Sequence, residues 1–438
     1  MSEYPSWGRY PRVKNQRVIV LHWRDALPEL GALDRPVLPR GLGRSYGDSC
    51  LNEGGILLDA TPLRRFLAIN EAAETLTCEA GTSLVDIQEQ LIPRGFFLPV
   101  IPGTQFVTVG GAIANDIHGK NHHIAGTFGR NVIRFELVRS DGARRICSRE
   151  DHPALFRATV GGLGLTGLIT WAELRIRRVP SPFILEEKIR FEHVDAFFEL
   201  SAASDLDFEY TVAWIDTTAR GRRLGRGIFM RGNHADPRHH RLPRRRRPRQ
   251  KTFPCDAPRL MLNPLSVKLF NAAYYHKQLR RHEERVVAHE PFFHPLDAIL
   301  HWNRMYGRSG FLQYQCVVPL TDGGAAIREI LARIPASGLF AFLTVLKVFG
   351  DVPSPGLLSF PRPGVTVAAD FRYQGRRTLD RLARLDEVVR AAGGVLYPAK
   401  DARMAPESFA AFYPHWPEFA RHIDPKFSSS FWRRVRGG

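Results

Sequence analysis

Apolar and polar residues alternate on both sides of an Asp-Gly pair in VIRFELVRSDGARRICS (132–148). That period of two predicts a β-hairpin. Upstream, ETLTCEAGTSLVDIQEQLIPRG (74–95) reads as a strand running into an amphipathic helix, with Thr82 or Ser83 as the cap before Leu84. Residues 35–60 read as strand, glycine-rich turn, strand. Residues 96–123, FFLPVIPGTQFVTVGGAIANDIHGKNHH, are rich in Gly, Thr and small side chains and are expected to be mostly irregular. A short helix, a glycine loop and a strand follow in ALFRATVGGLGLTGLITWAELRIRRV (154–179).

The texture changes after the two prolines of VPSP (179–182), which make it the best linker candidate in the first half. Strands such as FLQYQCVVPL (311–320), FLTVLKVFG (342–350) and GVTVAADF (364–371) then alternate with helices such as GGAAIREILARI (323–334) and RTLDRLARLDEVVRAAG (377–393). This predicts an α+β sheet domain with helices on one face. The end of the chain is broken by prolines, and no internal repeat or heptad run occurs.

A length of 438 residues exceeds one ordinary core, so at least two domains are expected. With 44% apolar and 24% charged residues the chain is globular rather than disordered. Five scattered cysteines without a C-x-x-C pair argue against a disulfide framework and a structural zinc site. The first twenty residues lack the apolar core of a signal peptide, and no apolar run is long enough for a transmembrane helix. A cytoplasmic protein is the expectation.

The net charge of +18 changes the picture less than it suggests. Residues 220–251 hold thirteen Lys/Arg against one acid, Asp236, which accounts for +12 and leaves 18 − 12 = +6 for the rest. Such a run, interrupted by Pro and His, reads as an exposed loop, most mobile near 236–252. It is either solvated or held at an anionic membrane surface. Nucleic-acid binding is not expected, because the run lacks interleaved aromatics for stacking.

Candidate chemistry starts with three glycine-rich loops: PRGLGRSYGD (39–48), PGTQFVTVGGAIANDIHG (102–119) and VGGLGLTGLIT (160–170). Such loops can point backbone amides at phosphate oxygens. None fits a Rossmann fingerprint or a P-loop. Three together suggest one large phosphorylated ligand wrapped by several segments.

The order P-R-G-x-G-x-S-Y, EAGTSLVDIQEQL, PGT…VGGAIA…HG and GGLGLTGLIT resembles the vanillyl-alcohol-oxidase-type FAD-binding family. NDIHGKNHH, FFHPLDAILHWNRMYGRSGFLQYQ, LKVFG and YPAKDAR narrow the resemblance to its epimerase oxidases, the flavin subunits of polyprenyl-phospho-ribose 2-epimerases. The resemblance runs from about residue 10 to 430, apart from the basic run. It implies a two-domain α+β fold: an FAD-binding domain over 1–180, an α+β substrate (cap) domain over 181–394, and a C-terminal segment, 395–438, returning to the first domain. It also implies FAD-dependent oxidation of the ribose C2 hydroxyl of a lipid-linked polyprenyl-phospho-ribose to a 2-keto sugar. A separate NAD(P)H-dependent short-chain reductase would complete the epimerisation, and contact with the membrane would be peripheral. An FAD oxidase or dehydrogenase of a soluble sugar or polyol is the alternative within the same fold.

By the same resemblance the cofactor-binding residues are Arg40, Gly41, Leu42, Gly43, Arg44, Ser45, Tyr46 and Gly47 of the first loop. Gly103, Thr108, Val109, Gly110, Gly111, Asn115 and His118 follow in the second, then Ile169 and Tyr397. Relatives that attach FAD covalently use a histidine where this chain has Arg44, so the flavin is expected to be non-covalent.

Catalysis needs a proton acceptor beside the substrate hydroxyl. Lys400 in YPAKDAR matches the lysine the family places at the flavin edge, to serve as base or, still charged, to steady a developing alkoxide, although by itself it would read as a surface residue pairing with Asp401. Lys347 interrupts an apolar strand and reads as a second site cation, suited to a substrate phosphate. Gln313 and Gln315 are two apart and so share a strand face, and Trp214 is expected to wall the pocket. Where those oxidases carry a pocket cysteine, an asparagine and a tyrosine, this chain has Ala368, Thr366 and Phe293, so the pocket's shape and polarity should differ.

His118, His122 and His123 invite a metal reading. Gly119 and Asn121 disfavour the helix that an i, i+4 pair needs, and no carboxylate or cysteine completes a set. No metal is expected. His118 is placed in the pocket as a catalytic candidate, to hydrogen-bond the sugar or share the proton with Lys400, with His122 and His123 supporting the loop.

Overall fold

The computed structural model describes residues 4–244, 250–258, 260–321 and 324–437. The predicted hairpin forms as Val132–Val138 and Arg144–Ser148. It belongs to a five-stranded antiparallel sheet in the order Phe66–Asn70, Thr75–Glu79, Leu168–Arg175, Val132–Val138, Arg144–Ser148. The Leu84–Leu91 helix covers this sheet with Leu84, Ile87 and Leu91, whose spacing of three and four puts them on one buried stripe. Ser83 is its cap, accepting from the Asp86 amide at 3.2 Å, a bond of about 1 kcal/mol. A three-stranded parallel sheet, Arg17–Val20, Ile56–Asp59, Val37–Arg40, lies alongside.

Most of 96–123 lies outside helix and strand, as expected, with short regular pieces set into it. Val109–Ala114 and His122–Ala125 are short helices, the first capped by Thr108, whose hydroxyl accepts from the Gly111 amide at 3.2 Å. A capping threonine outweighs the poor helix propensity of two glycines over so short a span.

The second half builds an eight-stranded antiparallel sheet. Its order is His282–Ala288, Phe183–Phe191, Gly227–His234, Tyr210–Ile215, Thr344–Phe349, Gly364–Arg372, Phe311–Val318, Val395–Leu396. Helices Val194–Ala202, Ala325–Ala336 and Arg376–Ala391 cover one face, where Phe229, Tyr314, Cys316, Val367 and Leu346 form the larger core with Ile327, Ile330 and Leu385. The Gly227–His234 strand corrects the reading of 220–251 as one exposed loop. Its arginines are tied into the sheet region: Arg226 pairs with Asp216 at 2.8 Å and Arg231 with Glu187 at 2.7 Å. Residues 245–249 of the expected mobile run lie outside the described residues.

After Leu396 the chain leaves the large sheet and crosses to the first strands. Phe427 bridges Val37, the Ser430 amide donates to Leu51, and Arg434 of the Ser430–Arg436 helix reaches Asp48 at 2.7 Å and Asp401 at 2.9 Å.

Candidate active site

The three glycine loops converge because their backbones are fastened to one another. Arg40 ends its strand by donating to the carbonyls of Cys50 at 2.9 Å and Pro5 at 2.7 Å, which fixes the start of the first loop. A Cβ on Gly41 would stand 2.2 Å from the Thr108 hydroxyl, so only glycine lets the first loop touch the second. The third loop joins through the Gly161 and Leu163 amides, which donate to Ile113 and Ala114.

Together the loops line one wall of a cavity of about 440 Å³. Arg40, Gly41, Leu42, Gly43, Arg44, Ser45 and Tyr46 face it from the first loop, and Gly103, Thr108, Gly110, Gly111, Asn115 and His118 from the second. Ile169 and Tyr397 complete that side; the Tyr397 hydroxyl donates to the Asn115 carbonyl at 2.8 Å. Two expected members do not line the cavity. Val109 is fully buried in the core of the small sheet, and Gly47 packs against the carbonyl of Asp401. The Arg44 guanidinium lies over the Trp7 ring, its carbon 4.2 Å from the ring centre.

The opposite wall is the open face of the large sheet, and a period of two decides what it presents. Gln313 and Gln315 point into the cavity while Tyr314 points to the helices; Thr366 and Ala368 do so between Val365, Val367 and Ala369. Lys347 and Trp214 follow the same rule, and the Trp214 indole donates to the Phe342 carbonyl at 3.0 Å. Phe293 closes the far end, edge-on to Tyr210.

Four lysines line this space, and one of them, Lys188, is paired with Glu186 at 3.4 Å. Lys400 does not pair with Asp401: its ammonium sits 3.9 Å from the centre of the Tyr46 ring. Lys347 donates to the Gly119 carbonyl at 3.3 Å, and Lys120 to the Phe292 carbonyl at 2.5 Å. Burial, which disfavours the charged form, pushes Lys400 and Lys120 down to about 8. Lys347 falls to about 7 through burial and then through its two cationic neighbours. His118 is held well below its ordinary value by burial, with Lys347, His122 and Lys400 adding to the effect. Its Nε2 accepts from the Gln315 amide at 3.2 Å, so the neutral ring carries its proton on Nδ1.

The other two histidines turn away. His122 packs on Phe349 with ring centres 4.5 Å apart, and Nε2 of His123 bonds the Phe208 carbonyl at 3.0 Å. Among the described residues no group of three His, Cys, Asp or Glu is placed to hold a metal.

Sequence reading missed two neighbours, both acids. Asp370 stands opposite Gln313 in register and accepts from its amide at 2.6 Å, and burial pushes this carboxyl up to about 7. The signal was there: Asp370 continues the 366, 368 face by two residues. Asp297 accepts from the Gln105 amide at 2.9 Å and lines the cavity beside Arg44. It sits in the HPLD stretch, four residues after Phe293.

The loop wall is suited to FAD. Glycines with little side-chain bulk and two arginines face the phosphates' expected path, while the sheet wall offers amides and lysines to a second molecule. An FAD-binding-domain family model matches residues 22–148, the segment holding the first two loops. The chain is 36% identical over 417 residues to the decaprenylphosphoryl-β-D-ribose oxidase of Mycolicibacterium smegmatis, covering 92% of this chain and 89% of that protein. It is 33% identical over 370 residues to an uncharacterized Streptomyces coelicolor protein, covering 80% of this chain and 98% of that one. Mouse L-gulonolactone oxidase is 28% identical over 183 residues, 41% of this chain and 40% of its own length. With its loops, its cavity and this extent of identity, the chain belongs to the decaprenylphosphoryl-β-D-ribose oxidase family of FAD-dependent oxidoreductases.

Proposed function

We propose that the protein oxidises the ribose C2 hydroxyl of a polyprenyl-phospho-β-D-ribose to the 2-keto sugar, the first half of a 2-epimerisation to the arabinose form. A separate NAD(P)H-dependent short-chain reductase completes the exchange, and the oxidase meets its substrate peripherally at a membrane. Residues 1–180 serve the cofactor, 181–394 the sugar, and 395–438 close back on the first part. The observation carrying this reading is a single cavity shared by the FAD loops, a sheet face bearing Gln313, Gln315 and Lys347, and Lys400 on the turn after the last strand.

FAD supplies the hydride acceptor and is held without a covalent bond, Arg44 standing where attachment would need a histidine. The chain's own residues do the rest. Gln313, fixed by Asp370, and Gln315 hold sugar hydroxyls. Lys400, titrating near 8, is partly neutral at physiological pH and takes the hydroxyl proton. His118 is too weak a base for that step and serves as a polar contact through its Nδ1. Lys347 and Lys120 meet the phosphate, and Trp214 and Phe293 flank the sugar–lipid junction with Thr366 and Ala368.

Anaerobic mixing with a panel of lipid-linked and free sugars tests the reading. Polyprenyl-phospho-ribose should bleach the flavin. Bleaching by free polyols alone would replace it with a soluble-sugar oxidase. Acid precipitation should release all of the FAD, and a yellow pellet would contradict the non-covalent link.

A pH dependence follows from the lysines. Their folded-state values lie below the ordinary one, so each is cationic below about 7–8 and neutral above. A bound phosphate favours the cation. Affinity should therefore be full below about pH 7 and fall at least about tenfold by about pH 9, with proton uptake on binding near pH 8. Calorimetry in buffers of different ionisation enthalpy measures that uptake, and pH-independent affinity would remove Lys347 and Lys120 from phosphate binding.

A further inference from the structure

Six of the fourteen exposed large apolar side chains among the described residues fall within twenty positions, 260–279, so they form a cluster rather than the usual scatter. They lie on the Pro264–Lys277 helix and its flanking turns. Val267, Asn271 and Tyr275, spaced by four, form the helix's buried side. Leu265 and Leu269, also four apart, are 65% and 62% exposed, and Leu260 and Leu279 at either end are each 85% exposed.

Charge along the cluster's own stretch of chain has nearly one sign. Lys268, Lys277, Arg280 and Arg281 are exposed on or just beyond the helix, and Lys251 is exposed nearby in sequence. The one acid of 251–281, Asp256, is paired with Arg9.

The cluster is joined to the cavity. Phe270 stacks on Tyr274, with ring centres 6.1 Å apart, and Tyr274 packs on Trp214 at 4.7 Å. Tyr274 and Trp214 both line the cavity. On the other side Lys251–Thr252 pairs with Ile299–Leu300, two further lining residues.

We infer that the outward face of the 264–277 helix with the 260–262 turn is a docking surface for an anionic lipid bilayer, laid so that the cavity mouth opens onto the membrane. A protein partner of mixed charge does not match a rim of cations around leucines. A bilayer with anionic headgroups does, taking the leucines into its acyl boundary and the cations at its surface. Among the described residues no helix is long and apolar enough to cross a membrane, so the contact lies on the surface. The aromatic line from Phe270 to Trp214 gives a polyprenyl chain an apolar path from the bilayer to the sugar site. This inference deepens the reading of a lipid-linked substrate and rests on it.

The test uses the full-length holoenzyme and two triple variants, L260Q/L265Q/L269Q and K268Q/K277Q/R280Q. None of the six residues lines the cavity. The parent should sediment with vesicles of equal parts phosphatidylcholine and phosphatidylglycerol, and much less with phosphatidylcholine alone. The leucine triple should lose at least about tenfold in partition at any ionic strength. The cation triple should lose on the order of a hundredfold at low salt, at roughly fivefold per cation, and little at high salt.

Both triples should reduce flavin within about twofold of the parent rate on a short-chain polyprenyl-phospho-ribose dispersed in detergent, and fall in step with partition on a long-chain substrate in vesicles. Unchanged partition in both triples would overturn the inference, as would equal partition of the parent to both vesicle types. Absent vesicle binding, with self-association that the leucine triple abolishes, would assign the face to a second copy of the chain instead. Normal vesicle docking with no flavin reduction by any polyprenyl-phospho-ribose would sink the substrate reading and leave the surface standing.

Discussion

Lys400→Met should keep its FAD and its fold while slowing substrate-driven flavin reduction on the order of a thousandfold. The residue sits in the cavity on Tyr46, burial lowers its affinity for a proton, and the buried carboxyl of Asp370 partly offsets that shift. Methionine keeps the length and apolar stem and removes the titrating nitrogen. Lys400→Arg separates two roles. Arginine cannot give up its proton, so it rescues a purely electrostatic contribution and fails as a base. Rapid mixing under anaerobic conditions measures the rate, and its rise with pH through about 8 should vanish in both variants. A Lys400→Met rate within about tenfold of the parent would end the assignment of this lysine as proton acceptor. His118→Ala should retain FAD and slow reduction far less, about tenfold, because the ring it removes is already neutral.

Gly47→Ala should be the most damaging single methyl group in the cofactor half. A Cβ there would stand 1.6 Å from the carbonyl oxygen of Asp401 and 2.4 Å from its carbon, and both sides of the contact are backbone. No rotamer relieves such an overlap, so the first loop and the Lys400 segment must separate, at a cost of about 3 kcal/mol or more. Lower thermal stability and loss of bound FAD are the expected results, read by circular dichroism and by flavin fluorescence on heating. Gly103→Ala is the control for the fold, since nothing lies within 4 Å of its added methyl. Equal melting of Gly47→Ala and the parent would contradict the contact.

Much of this was legible in the chain because it is local. The 132–148 hairpin, the Ser83 cap and the two-residue period that turns Gln313 and Gln315 inward are all set by neighbours within a few positions. Tertiary packing decided the rest. Gly227–His234 looks like part of a basic loop until Glu187 is brought to its Arg231 and Asp216 to Arg226 just before it, from elsewhere in the chain. Lys400 looks like a partner for Asp401 until Arg434 takes that carboxylate. Asp370 is one acid among many by sequence. Its burial under the cavity, bonded to Gln313, requires the pairing of two strands 57 residues apart.

Arg434 also sets a timetable. It bridges Asp48 of the first loop to Asp401 beside the lysine, and 386 residues separate it from Asp48. At a ribosomal pace of about 5–20 residues per second, that loop waits roughly 20–80 s for its last fastening. The first loop therefore gains this fastening only once residue 434 has been made, and not while its own half of the chain is nascent.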